Sequence, residues 1–250
     1  MKLLFLGVSS AFSVGENRFQ SNMLVESDSG SKLLLDCGSD ARHSLYAQGY
    51  TYSDIDAVYV SHLHSDHIGG LEWLGFSKRF IDEGKITLFI SPDQVDRLWD
   101  SVLRGGMSSI ETEQATLSTY FNVQPAYHHF VWENYHFQLV KTIHSISNGK
   151  ILPSYGLFIT GIAKKVFISM DTRFTPDILQ PFYNAADVIF HDCETSAKLS
   201  GQHAHYNELK TLDNKIKKKI WLYDYNCGLL PNAKKDGFKG FVVRGQRFDF

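Results

Sequence analysis

The chain has 250 residues, of which 43% are hydrophobic, and its 25 basic and 27 acidic side chains leave a formal charge of −2. That size and apolar content suffice for a real core, and the near-neutral balance provides no global attraction for a long polyanion. No run approaches the roughly 18 to 20 apolar residues of a membrane span, and Gly7 interrupts the opening MKLLFL too early for a secretory leader, so the expectation is a cytoplasmic protein.

Short β-branched and aromatic runs read as strands: Lys2–Leu6, Asn22–Glu26, Lys32–Asp36, Ala57–Ser61, Ile86–Ile90, His136–Val140, Tyr155–Thr160, Val166–Ser169, Val188–His191, Ile220–Tyr223, Phe241–Arg244 and Arg247–Phe250. Helical stretches fall at Asp40–Gln48, Pro92–Leu103 behind Ser91, Thr175–Pro181 and roughly Tyr206–Lys217. The mixture implies an α/β protein with two sheets packed face to face and helices outside. No repeat or linker divides residues 1–250, which read as one domain. Segment 104–118 is polar and without period, which predicts a surface loop acting as lid or connector. Cys37, Cys193 and Cys227 are odd in number and widely spaced, the pattern of reduced thiols.

The eleven histidines carry the chemistry. After the strand DAVYVS comes His62-Leu63-His64-Ser65-Asp66-His67, then Ile68-Gly69-Gly70. Alternation puts His62 and His64 on one side of an extended segment, and a turn returns Asp66 and His67 toward the same space. Imidazole and carboxylate are ligands for zinc and its first-row neighbours, and no cysteine lies close enough in sequence to suggest a closed thiolate site.

The string His62-x-His64-x-Asp66-His67 resembles the signature of the metallo-β-lactamase fold superfamily, an αββα sandwich with one or two metals at one edge. The early Asp36-Cys37-Gly38, His144 after FQLVKTI, Asp171 in VFISMDTRF and His203 or His205 in SGQHAHYNEL match the rest of the pattern in order. The resemblance implies that His62, His64 and His144 hold one ion, that Asp66, His67 and His203 hold another, and that Asp171 bridges them. His203 is preferred over His205 because its spacing to Glu208 suits relatives of the ribonuclease Z branch. His205 would then cap a helix or face substrate. Two divalent ions are implied, zinc first, with manganese and iron using the same donors. Asp66 takes a second, catalytic role in orienting the attacking water, and His191 in ADVIFHDCET resembles the family's general acid. His128, His129 and His136 read as surface or packing residues.

Ribonuclease Z enzymes carry a long arm between the third-motif histidine and the bridging aspartate. Here 26 residues separate His144 from Asp171, too few for such an arm. The length and the segments HDCETS, HAHYNEL and WLYDYN are similar to the phage anti-Pycsar proteins, which hydrolyse cyclic mononucleotides of bacterial immunity. That resemblance implies 3′,5′-cyclic nucleotide hydrolysis, a homodimer, and neither a membrane nor a stable nucleic-acid partner. Aromatic residues in and just past 104–130 (Tyr120, Phe121, Tyr127, Phe130 and Trp132) are expected to supply a dimer contact and a base-stacking surface, with core packing the alternative for about half of them. The alternatives are cleavage at tRNA 3′ ends or hydrolysis of another small cyclic phosphate.

Overall fold

Strands such as KLLF, KLLL and AVYV are apolar on successive residues because both of their faces are covered. The computed structural model describes residues 1–111, 113–161 and 163–250. Its strands in chain order are β1 Lys2–Phe5, β2 Met23–Glu26, β3 Lys32–Leu35, β4 Ala57–Val60, β5 Ile86–Ile90, β6 Ser109–Ile110, β7 Glu113–Gln114 and β8 Phe121–Pro125. The second half contributes β9 His129–Trp132, β10 Tyr135–Ser147, β11 Lys150–Thr160, β12 Val166–Ile168, β13 Val188–Asp192, β14 Ile220–Tyr223, β15 Gly240–Phe241 and β16 Arg247–Asp249.

Two seven-stranded sheets result, ordered β16-β1-β2-β3-β4-β5-β8 and β15-β14-β13-β12-β11-β10-β9. Each is mixed: β3, β4, β5 and β8 run parallel in one, and β12, β13, β14 and β15 in the other. Leu3, Phe5, Leu33, Leu35 and Tyr59 join Leu157, Ile168 and Phe190 in one core cluster drawn from both sheets. The alternate residues Leu4, Leu34, Val58 and Val60 pack outward with Leu71 and Leu74 of the Leu71–Phe80 helix. On the other outer face Ile189 and Cys193 meet Leu179 and Tyr183 of the Pro176–Ala185 helix. The expected αββα layering is therefore present, each layer set by period-two alternation.

Three sequence expectations need correction. Among its described residues, segment 104–118 is no plain loop: Arg104–Met107 and Leu117–Tyr120 are helical, β6 and β7 pair antiparallel, and Met107, Ala115 and Leu117 are buried, while residue 112 lies outside the described residues. The period was hidden because each element is only two to four residues long. Tyr120, Phe121, Phe130 and Trp132 are buried in the core, with Tyr127 alone of the five exposed, so the anticipated aromatic surface is mostly absent. The helix expected over Tyr206–Lys217 is two helices, Tyr206–Leu209 and Asn214–Lys217, the second capped by Asp213, whose side chain accepts from Lys215 N. Among the described residues, no helix is long and apolar enough to cross a membrane.

Candidate metal centre

Five of the parallel strands carry an acidic or imidazole side chain at or just past their end: Asp36 follows β3, His62 follows β4, Asp171 follows β12 and Asp224 follows β14, while Asp192 closes β13. This is where an α/β sheet presents its ligand sites. Asp36 and Asp224 have φ of 62° and 63°, and Met170, beside Asp171, has 49°. Such left-handed backbone at non-glycine residues is costly, and it clusters here at the strand ends where side chains must be turned into one site.

Two loops pack together to hold the HxHxDH segment. Cys37 N donates to His67 O at 2.7 Å, and Gly70 N donates to Cys37 O at 2.8 Å. Gly38 must lack a side chain, because a Cβ there would lie 2.0 Å from Asp66 O. The Asp36 carboxylate, fully buried, accepts from Ser61 N at 2.8 Å, Ser61 Oγ at 2.7 Å and His67 Nδ1 at 2.7 Å. Donating through Nδ1 leaves His67 Nε2 facing the site, the usual way an outer carboxylate fixes a ligand's tautomer. His144 comes from β10 at a break in register: Ile143 pairs with Pro153 and Ser145 with Leu152, leaving His144 as the extra residue of a bulge that re-aims its ring.

The donors converge tightly. His64 Nδ1 lies 3.1 Å from His62 Nε2 and 3.0 Å from His144 Nε2. Asp171 Oδ2 is 3.3 Å from His67 Nε2, 3.7 Å from His144 Nε2, 3.8 Å from His62 Nε2 and 3.9 Å from His203 Nδ1. Four imidazoles thus surround one carboxylate oxygen. Asp66 Oδ2 is 3.2 Å from His67 Nε2. His203 Nδ1 is closest to Asp192 Oδ2, at 2.9 Å, with Asp224 Oδ2 at 3.5 Å.

The donor set fits metal ions. Ligand atoms within 4.8 Å of one another form the groups His62–His64–His144, His62–His67–Asp171, His144–Asp171–His203 and Asp192–His203–Asp224. Among the described residues, the buried atoms His67 Nε2 and Asp171 Oδ1 have no hydrogen-bond partner, a cost that coordination would remove. Burial drives His62 well below the ordinary imidazole range and His144 down to about 4, so both are neutral, the ligating form. For His67 burial acts in the same direction, but Asp171, Asp66 and Asp36 outweigh it and favour positive charge. At His203 burial is likewise overcome by Asp192 and Asp171, which push it up to about 11. Carboxylates so concentrated call for cations at this edge.

All seven predicted ligands come to this edge; His62, His64 and His144 group as expected, whereas Asp66, His67 and His203 do not group with one another. His67 groups with His62 and Asp171, whereas Asp66 is in none of the 4.8 Å groups. His203 is turned into a carboxylate pocket that includes Asp192 and Asp224. Those two were missed, yet VIFHD and IWLYD repeat the pattern of VFISMD, an apolar strand ending in aspartate.

His205 does not face the site. It caps the Tyr206–Leu209 helix, accepting from Asn207 N at 3.2 Å through Nδ1, while Nε2 bonds Ser196 O at 3.0 Å. His191 requires the larger correction. Alternation along β13 puts Phe190 and Asp192 inward and His191 outward, and its ring is fully buried. Nδ1–H donates to Asp192 O at 2.7 Å, and Nε2 accepts from Tyr183 Oη at 2.7 Å. Both nitrogens are occupied away from the site, which is not the placement of a general acid.

A cavity of about 560 Å³ opens over this cluster, and His64, Asp66, His144, Asp171 and His203 line it. Its volume is that of a small-molecule site, roughly 300–1,000 Å³.

Two mixed sheets inside two helical layers, with histidines and aspartates at one sheet edge, define a metallo-β-lactamase fold. The metallo-beta-lactamase fold protein YhfI from Bacillus subtilis superposes with a TM-score of 0.76 at 22% identity, covering 99% of this chain and 98% of that one. The family model described as "Anti-Pycsar protein Apyc1" matches residues 1–248, and the chain belongs to that family. The Anti-Pycsar protein Apyc1 of Paenibacillus harenae is 34% identical over 253 residues and covers all of both chains. The protein of the same name from Bacillus phage vB_BveM-Goe7 is 32% identical, covering 98% of this chain and 96% of its own.

Proposed function

We propose that this chain is a metal-dependent phosphodiesterase of the cytoplasm that hydrolyses 3′,5′-cyclic mononucleotides to linear nucleoside monophosphates, removing cyclic-nucleotide antiviral signals. The observation that carries the reading is the imidazole–carboxylate cluster beneath a small-ligand cavity. Membership in a family named for opposing Pycsar points the same way. Divalent ions bound by these ligands would supply Lewis acidity, lowering the pKa of a water toward about 7 and neutralising charge on phosphoryl oxygens.

The chain's own residues supply position. Asp36 locks His67, the bulge aims His144, and the buried imidazoles stay neutral. Asp66 lines the cavity, which supports the reading that it orients an attacking water. With His191 committed to Tyr183, the departing 3′-oxygen takes its proton from a cavity-facing group or from solvent.

A small ester suits the site better than tRNA. The stretch between His144 and Asp171 is occupied by β11 and β12, the place where ribonuclease Z enzymes insert their arm. The reading includes a homodimer, to be checked by sedimentation equilibrium. A panel of cyclic CMP, UMP, AMP and GMP, assayed with and without chelator, tests the activity. Turnover of more than one nucleotide, lost on chelation and restored by zinc or manganese, is expected. Trimming of precursor tRNA with no cyclic nucleotide consumed would overturn the reading.

A further inference from the structure

The same cavity has a wall whose chemistry the metal cluster does not use. Phe12 is 95% exposed and yet lines the cavity shared with His64 and Asp66. A lone exposed apolar side chain is ordinary on a protein surface; what sets Phe12 apart is its place on the wall of a ligand-sized cavity.

The turn that carries this ring is well anchored. Ser13 N donates to Ser10 O at 3.0 Å, Ser10 N donates to Tyr225 O at 3.2 Å, and Asn226 Nδ2 donates to Ser10 Oγ at 3.2 Å. The anchored backbone fixes the ring's point of attachment at the cavity wall, while the exposed ring keeps its own rotation with which to settle against a ligand.

Two polar groups of the same wall are already committed. The Glu194 carboxylate accepts from Ser196 Oγ at 2.7 Å, from Ser200 N at 2.9 Å and from Ser200 Oγ at 3.1 Å. Asn226 Oδ1 accepts from Thr195 N at 2.8 Å. The Glu194 carboxylate and Asn226 Oδ1 are thus engaged, while Gln20 and Gln202 also line the cavity. What Phe12 adds to the wall is an aromatic face, and every nucleobase has a π-face to set against it.

We infer that Phe12 is the nucleobase-stacking platform of this site and the source of tolerance for more than one base, an inference that rests on the cyclic-nucleotide reading above. Phosphate is drawn to the ligand cluster, and the base is held at the cavity mouth by a contact blind to its hydrogen-bond pattern.

The test compares wild type with Phe12→Ala, Phe12→Leu and Phe12→Trp on the four cyclic nucleotides and on the base-free methyl ribofuranoside 3′,5′-cyclic phosphate. Phe12→Ala should lower kcat/KM on cyclic nucleotides about ten- to hundredfold, mostly through KM, with purines losing more. It should change turnover of the base-free ester less than about twofold. Phe12→Trp should keep wild-type efficiency and Phe12→Leu should fall between, all with an unchanged Tm because the side chain is exposed. Equal losses on both kinds of substrate, or no loss on nucleotides, would overturn the stacking role while leaving the cyclic-nucleotide reading intact. A wild type inert toward all four nucleotides would remove both.

Discussion

Replacing His191 by leucine separates a structural histidine from a catalytic one. Its ring accepts from Tyr183 Oη and donates to Asp192 O, so His191→Leu strands a buried hydroxyl and a buried carbonyl. Each orphaned group costs about 1–3 kcal/mol, together about 2–6 kcal/mol, which in a chain of this length lowers Tm by roughly 5–20 °C. Burial also depresses the His191 pKa to about 4, against a smaller opposing effect of its bond to Asp192 O. An unfolded chain titrating near 6.5 therefore binds more protons than the folded one between those values. The contribution is fully present above about pH 6.5 and is lost as pH falls toward 4, amounting to about 3 kcal/mol over the window. Calorimetry across pH 4–7 should show a slope smaller by this amount in His191→Leu than in wild type, the buried His62 and His144 adding slopes of the same sign to both. Adding Tyr183→Phe, which removes one orphan, should recover part of the lost Tm. Below its unfolding temperature, the single variant should keep kcat on cyclic nucleotides within about threefold of wild type. A native Tm combined with a kcat loss of about 10² to 10⁴, the usual worth of a general acid, would refute the packing argument and restore the catalytic assignment.

Other outcomes follow from the loops that build the site. Asp36→Asn keeps the shape but weakens the carboxylate that accepts from His67 Nδ1, so zinc affinity measured against a chromophoric chelator should fall about 10- to 100-fold while the fold is retained. Gly38→Ala places a Cβ on the Asp66 carbonyl, and urea unfolding should show a loss of at least about 3 kcal/mol together with weaker metal retention. An unchanged midpoint would mean that the two loops are not in the contact described.

The ligand set was readable because it is local or ends a strand. His62, His64, Asp66 and His67 lie within six residues, and His144 and Asp171 follow apolar runs whose direction the alternation reveals. His191 was misread because the same alternation, applied across β13, would have turned it away from its neighbour Asp192. Phe12 had no local signal at all. A phenylalanine between serines looks like any loop residue, and only the long-range pairing of its turn with Tyr225 and Asn226 brings it to the cavity. The short elements over 104–120 failed for the opposite reason: their burial is decided by contacts with distant helices and strands, while each is too brief to show a period.

The cluster at the sheet edge draws His62, His64 and His67 from the end of one sheet, and His144, Asp171 and His203 from the strands and loops of the other. An ion held by donors from both halves acts as a cross-link between the two sheets. It does not form until residues separated by most of the chain have met, so metal affinity and the cohesion of the sandwich become one linked equilibrium. Metal occupancy therefore reports on the joining of the two sheets as much as on the readiness of the site, and scarcity of metal would loosen the same edge through which substrate enters.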